Sequence, residues 1–175
     1  SIADRAELPK ANIHYYFKNK TNLYQAVLEN IMTAWNEVLA DMNEDSDPAT
    51  VLTKFIHSKM QLSYTNPNGS KIFAMEIIQG APHLREYISQ DMRIWVKEKS
   101  AVIESWIAQG KMRAVDPTQL IFMIWATTQH YADFNTQVLE VMNRREYDDD
   151  GIQNITHFLT DMILTGCGLT APQAV

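Results

Sequence analysis

One cysteine, six glycines and six prolines are spread over 175 residues. The single thiol, Cys167, rules out an intramolecular disulfide framework and a cysteine-based zinc site, and it fits a reducing compartment. No run approaches the roughly 18 apolar residues of a membrane span, and no secretory signal opens the sequence. Even the sparsely charged stretch 114–131 is interrupted by Asp116 and Pro117. Positive charge is also in short supply, 15 basic against 21 acidic residues for a net charge of -6, which argues against a nucleic-acid coat. What is present is ordinary for a chain that buries a core: 46% hydrophobic and 21% charged residues. These features lead us to expect a soluble, cytoplasmic protein.

The average charge hides an asymmetry. Arg5, Lys10, Lys18 and Lys20 stand against Asp4 and Glu7 within residues 1–20, a net +2 on an otherwise acidic chain. Beyond that short basic head the apolar residues recur at helical spacing and no period-2 run reaches strand length, so the predicted class is all-α. The stripe over residues 21–42 (Leu23, Val27, Ile31, Trp35, Val38) is too wide for an exposed amphipathic helix. Asp47-Pro48 and Asp116-Pro117 read as N-caps with proline at the first helical position. They predict helices from 48 to about 65 and from 117 to about 142. Residues 66–69 read as a turn, Ala81-Pro82 as the start of a helix running to about 109, and 143–151 as a charged loop before the last helix.

Within the head, residues 1–8 predict a short helix with Ile2, Ala3 and Ala6 inward, and Pro9 can open a second. Two short helices across a tight turn form a helix-turn-helix, whose second member enters the major groove. Lys10, Asn12 and His14 can reach base edges or phosphates, Tyr15 and Tyr16 can contact phosphates and sugars, and Lys20 suits a phosphate. The run Leu8-Pro9-Lys10-Ala11-Asn12-Ile13-His14-Tyr15-Tyr16-Phe17-Lys18-Asn19-Lys20, with Ile2-Ala3 and Ala6 ahead of it, resembles the second half of the TetR-family DNA-binding domain. Glu7 departs from that pattern, where the family commonly has glycine in the turn. The resemblance implies a truncated helix-turn-helix head (1–20, first helix missing) on a helical effector-binding and dimerisation domain (21–175). It further implies a homodimer reading two-fold-related half-sites of double-stranded DNA in a bacterial cytoplasm.

The run from Asp116 to Phe134, with Ala74-Met75-Glu76 and Gly80-Ala81-Pro82, resembles the pyrimidine-responsive members of that family. This implies uracil or thymine as effector, and no cofactor. A flat ring with alternating C=O and N–H groups needs apolar walls and a few matched polar partners, and a side-chain amide supplies both donor and acceptor. Trp125 and Gln129 are four apart, one turn from each other on a helix face. Trp35 lies on the long helix leaving the head. The expected site is therefore Trp35 and Trp125 as walls, Phe73 as a further wall, and Gln129 as the reader. The same residues would serve equally as plain core. Ile121, Thr128, Ile155, Leu159 and Ile163 are the expected dimer interface, although Ile155, Leu159 and Ile163 also suit an intramolecular core.

No metal site is expected, because His130/Asp133 and His157/Asp161 are helix-surface pairs without further converging ligands. Ser58, Ser63 and Ser105 lack a nucleophile motif, and Gly110-Lys111 lacks the upstream glycine of a phosphate loop. Two alternatives stay open: an all-α enzyme acting on a small heterocycle, with His130 or Glu76 as acid/base, and a TetR-type regulator with an unrelated ligand.

Overall fold

The computed structural model describes residues 2–172, and among them there is no strand. Ser1, at the start of the expected first helix, and the last three residues of the expected body lie outside the described residues. Helices α1 (Ile2–Arg5) and α2 (Lys10–Phe17) form the head, and α3 (Lys20–Glu37) leads away from it. The body comprises α4 (Pro48–Thr65), α5 (Pro67–Ile78), α6 (Arg85–Tyr87), a π-helical turn (Ile88–Met92), α7 (Arg93–Ala108), α8 (Pro117–Asp133), α9 (Asn135–Val141) and α10 (Asp149–Gly166).

Side-chain caps start four of the body helices. Asp47, Asn66, Asp116 and Asp148 accept from the backbone N–H groups of Thr50, Gly69, Gln119 and Gly151, satisfying donors that have no partner within a first turn. The expected turn at 66–69 is therefore a helix start, with Asn66 the single residue between α4 and α5. Likewise α10 begins inside the expected charged loop, which puts Asp149 and Asp150 at the positive end of its dipole.

α4 is the central element, packed against both α8 and α10. The main core gathers Phe55, Ile56, Met60, Ile103, Trp106, Ile121, Ile124 and Leu164. A smaller cluster, Leu28, Met32, Ala81 and Leu84 with Tyr24, Phe73 and Tyr87 around it, joins α3 to α5 and α6. Ile121, Leu159 and Ile163 lie in the main core and are 2–6% exposed. Thr128 is fully buried with its hydroxyl on the Ile124 carbonyl. These four expected interface residues are thus interior to one chain. The outward faces of α8 and α10 instead carry Met123, Phe158 and Met162, with Ile155 half-buried.

Three boundaries differ from the periodicity, two of them through contacts remote in sequence and one through a local turn. α3 stops at Glu37 because α7 takes up the carbonyls beyond it: Lys99 donates to Leu39 at 2.7 Å and the Trp106 indole to Asn43 at 3.1 Å. Residues 81–84 form a turn rather than a helix start, with Ala81 at φ 56° and the His83 N–H donating to Glu76. The helix expected to reach 142 breaks at Phe134, where α5 holds both flanks: Ser70 donates to Asp133 and Lys71 to Asn135.

In the head, the Leu8 N–H donates to the Ala3 carbonyl and the Glu7 N–H to the Asp4 carbonyl, a Schellman stop with Glu7 at φ 54°. That left-handed position favours glycine. Glu7→Gly is therefore expected to stabilise the head by about 0.5–1 kcal/mol, read as slower hydrogen exchange of the Leu8 amide.

Candidate functional site

The head exposes what could meet another molecule. Lys10, Asn12, His14 and Lys20 are exposed, and Tyr15 and Tyr16 are 81% and 73% exposed with their rings edge to face at 5.3 Å. Two large phenols left in water are not filling a core. Of the expected inward residues only Ala3 is buried; Ile2 is half-exposed and, with Ala3, Ile13 and Leu23, lines a shallow apolar groove. Asn19 caps α3 through the Asn22 N–H at 2.8 Å, joining α2 to α3 across only Lys18 and Asn19.

In the body, Trp35 of α3, Phe73 of α5, and Trp125 and Gln129 of α8 meet on one cavity of about 310 Å³. Met32, Asn36, Lys59, Ile77, Ile88, Met92, Trp95 and Phe122 complete its wall. Trp35 and Phe73 meet edge to face at 4.9 Å on one side. On the other, Trp125 stacks on Trp95 at 6.0 Å and contacts Phe122 at 5.6 Å. A cavity of this size, apolar with a few polar groups, suits a small ring. Among the described residues the Gln129 amide makes no hydrogen bond, so its donor and acceptor are both available to an occupant. Asn36 instead donates to the Tyr87 hydroxyl at 2.9 Å, linking α3 to α6.

The sequence assigned none of these eight further wall residues to a site, and three of them bear most on its chemistry and shape. Lys59 follows Leu52, Phe55 and Ile56 on the inward stripe of α4, and a lysine at such a position is the signal that could have revealed it. It is 1% exposed, with its ammonium 3.8 Å from the centre of the Trp35 ring. Ile88 and Met92 reach the cavity through the π-helical turn, which nothing in the sequence announces; such turns often mark functional positions.

Glu76 and His130, the acid/base candidates, do not share a site. Glu76 is buried and its oxygens are occupied: Oε1 by the His83 N–H at 2.6 Å, Oε2 by the Tyr24 hydroxyl at 3.1 Å and beside His83 Nδ1 at 3.2 Å. Burial raises its pKa, but these donors hold the carboxyl below its usual range. His130 stacks on Phe134 at the surface. No group of three potential metal ligands occurs among the described residues. Nor is any helix among them long and apolar enough to cross a membrane. Burial pushes the Cys167 thiol up, so it is a core side chain rather than a thiolate.

Comparison with known proteins places this architecture. Residues 28–170 match the TetR C-terminal family described as YcdC-like protein, C-terminal region, and the chain belongs to the TetR family. It is 43% identical over 137 residues to the HTH-type transcriptional regulator RutR of Escherichia coli strain K12, and equally so to that of Shigella flexneri. The match covers 78% of this chain and 65% of either relative, so the chain spans a little under two thirds of their length. These relatives carry the name of a regulator, not of an enzyme.

Proposed function

We propose that this chain is the effector-sensing part, with a portion of the DNA-reading head, of a transcriptional regulator that answers to a pyrimidine such as uracil or thymine. It would act as a homodimer on two-fold-related half-sites of double-stranded DNA in the bacterial cytoplasm. The observation that carries this reading is the convergence of Trp35, Phe73, Trp125 and Gln129 on one cavity whose wall includes the helix leaving the head. Their identities match what a flat ring with alternating C=O and N–H groups requires. The names of the relatives favour the regulatory class.

In the head, Lys10, Asn12, His14, Tyr15, Tyr16 and Lys20 are the groups assigned to the DNA, the first three toward base edges or phosphates and the others toward the backbone. The second copy would sit on the apolar outward face formed by Met123, Phe158 and Met162 with Ile155. Two heads fixed at a set separation would then match operator half-sites about one helical turn, or a small multiple, apart. An effector changes that separation only if it binds the two arrangements with different affinity.

Calorimetric titration with uracil, thymine and cytosine tests the proposal. Saturable binding of uracil or thymine at one site per chain, with cytosine rejected, is expected. No binding of either to the folded dimer would leave the regulator class and reject the pyrimidine. Gln129→Leu is expected to keep the fold and weaken uracil by more than about 1 kcal/mol, the scale of a buried hydrogen bond. An unchanged affinity would remove Gln129 from the site.

A further inference from the structure

Lys59 is the feature of the cavity wall that an apolar pocket does not explain. Among the described residues its ammonium makes no salt bridge and no hydrogen bond, and only the face of Trp35 supports it. The carboxylate that acts on it, Asp133 of α8, is already bonded by the Ser70 hydroxyl and is shared with the charges of Lys71 on α5 and His130 on α8. α3 contributes to Lys59 only the Trp35 ring. A cation so largely withdrawn from bulk water, with a π face as its one close protein contact, is costly to keep charged. Burial accordingly pushes the Lys59 amine down to about 7. The cavity therefore holds a nine-tenths buried donor that lacks an acceptor.

We propose that Lys59 recognises an electron-rich exocyclic oxygen of the effector, so that the cavity admits flat rings bearing lactam or carboxylate oxygens and refuses amines and plain hydrocarbons of the same size. This inference rests on reading the cavity as the effector site, and it deepens that reading. Gln129 offers donor and acceptor together and so fixes how a ring is turned, whereas Lys59 in its ammonium form offers donors alone and so favours rings whose oxygens are electron-rich. An arriving oxygen supplies the partner that the folded chain does not. Above neutral pH, the neutral Lys59 amine then takes a proton from the buffer as the ligand binds.

The test is calorimetry of the chain and of Lys59→Met with uracil, benzoate and indole, at pH 8 in two buffers of different ionisation heat. Uracil or benzoate is expected to bind with uptake of most of one proton. In Lys59→Met the affinity should fall at least about tenfold and the proton uptake should vanish, while any indole binding stays as it was. Uracil bound equally by both proteins without proton uptake would overturn the role of Lys59 and leave the pyrimidine reading standing. Lys59-dependent benzoate binding without any for uracil would do the reverse, supporting the oxygen-reading lysine and rejecting the pyrimidine. Binding of indole alone, or of none of the three, would overturn the proposal.

Discussion

Lys59→Met is expected to make the unliganded protein more stable, although it removes a polar group from the candidate site. Burial lowers the Lys59 amine to about 7, so the unfolded chain holds that proton more tightly than the folded one. The resulting penalty is full below pH 7 and shrinks as the pH rises toward the ordinary lysine value near 10.4. Its ceiling is about 5 kcal/mol at roughly 1.4 kcal/mol per pKa unit, and the Trp35 face returns about 1–2 kcal/mol of that. Methionine fills a similar volume without charge. A net gain of about 2–3 kcal/mol near pH 7 follows, or roughly 5–10 °C in Tm for a chain of this size. Differential scanning calorimetry at pH 6.5 and 9.5 reads it: the gain should be larger at the lower pH. An equal or lower Tm for the variant at pH 6.5 would mean that Lys59 is well solvated or well paired.

Glu76→Ala is expected to do the opposite, costing about 2–4 kcal/mol. The carboxylate ties three parts together: Tyr24 of α3, its own helix α5, and the turn at His83 that sets the entry to α6. Its removal takes the partner from the His83 N–H and the Tyr24 hydroxyl and leaves the turn at Ala81, φ 56°, to its main-chain bonds alone. Because the folded carboxyl is held below its usual range, its contribution is present above about pH 4.3 and is lost as the pH falls through the folded value. The midpoint of urea unfolding at pH 7 checks the cost, and faster hydrogen exchange of the His83 amide checks the location. A midpoint within error of the wild type would show that this contact contributes nothing net to the packing of α3 on α5.

Both substitutions concern groups whose importance was not legible in the sequence, and the reason is physical. Local chemistry was legible. Asp47-Pro48 and Asp116-Pro117 cap α4 and α8 as their residue types dictate, and the apolar stripes placed Trp35 and Trp125 on inward or half-buried faces. The convergence of Trp35, Phe73, Trp125 and Gln129 followed from the resemblance together with the needs of a flat polar ring. What escaped depends on partners far along the chain. α3 ends where Lys99 and Trp106 reach the carbonyls just beyond it, and α8 ends where Ser70 and Lys71 meet Asp133 and Asn135. Periodicity also cannot say which of two apolar faces of a helix turns inward. On α10, Leu159 and Ile163, expected at an interface, pack into the core of one chain, while their neighbours Phe158 and Met162 face out.

The two clusters of the fold also relate cavity to head. Met32 belongs both to the cavity wall and to the smaller core that fastens α3 to α5 and α6, and Asn36, also on the wall, bonds Tyr87. An occupant that pushes on Trp35 or on the π-helical turn would therefore bear on the helix that continues into Lys20 and Asn19. The ring proposed as effector would sit there and nowhere else. A crystal structure of the chain grown with uracil tests it most directly. Planar density is expected between the Trp35–Phe73 pair and Trp125, with the Gln129 amide and the Lys59 ammonium within hydrogen-bond distance of ring heteroatoms. Density instead in the separate 330 Å³ cleft lined by Tyr64, Tyr131, Arg145 and Tyr147, with the tryptophan cavity left empty, would contradict it.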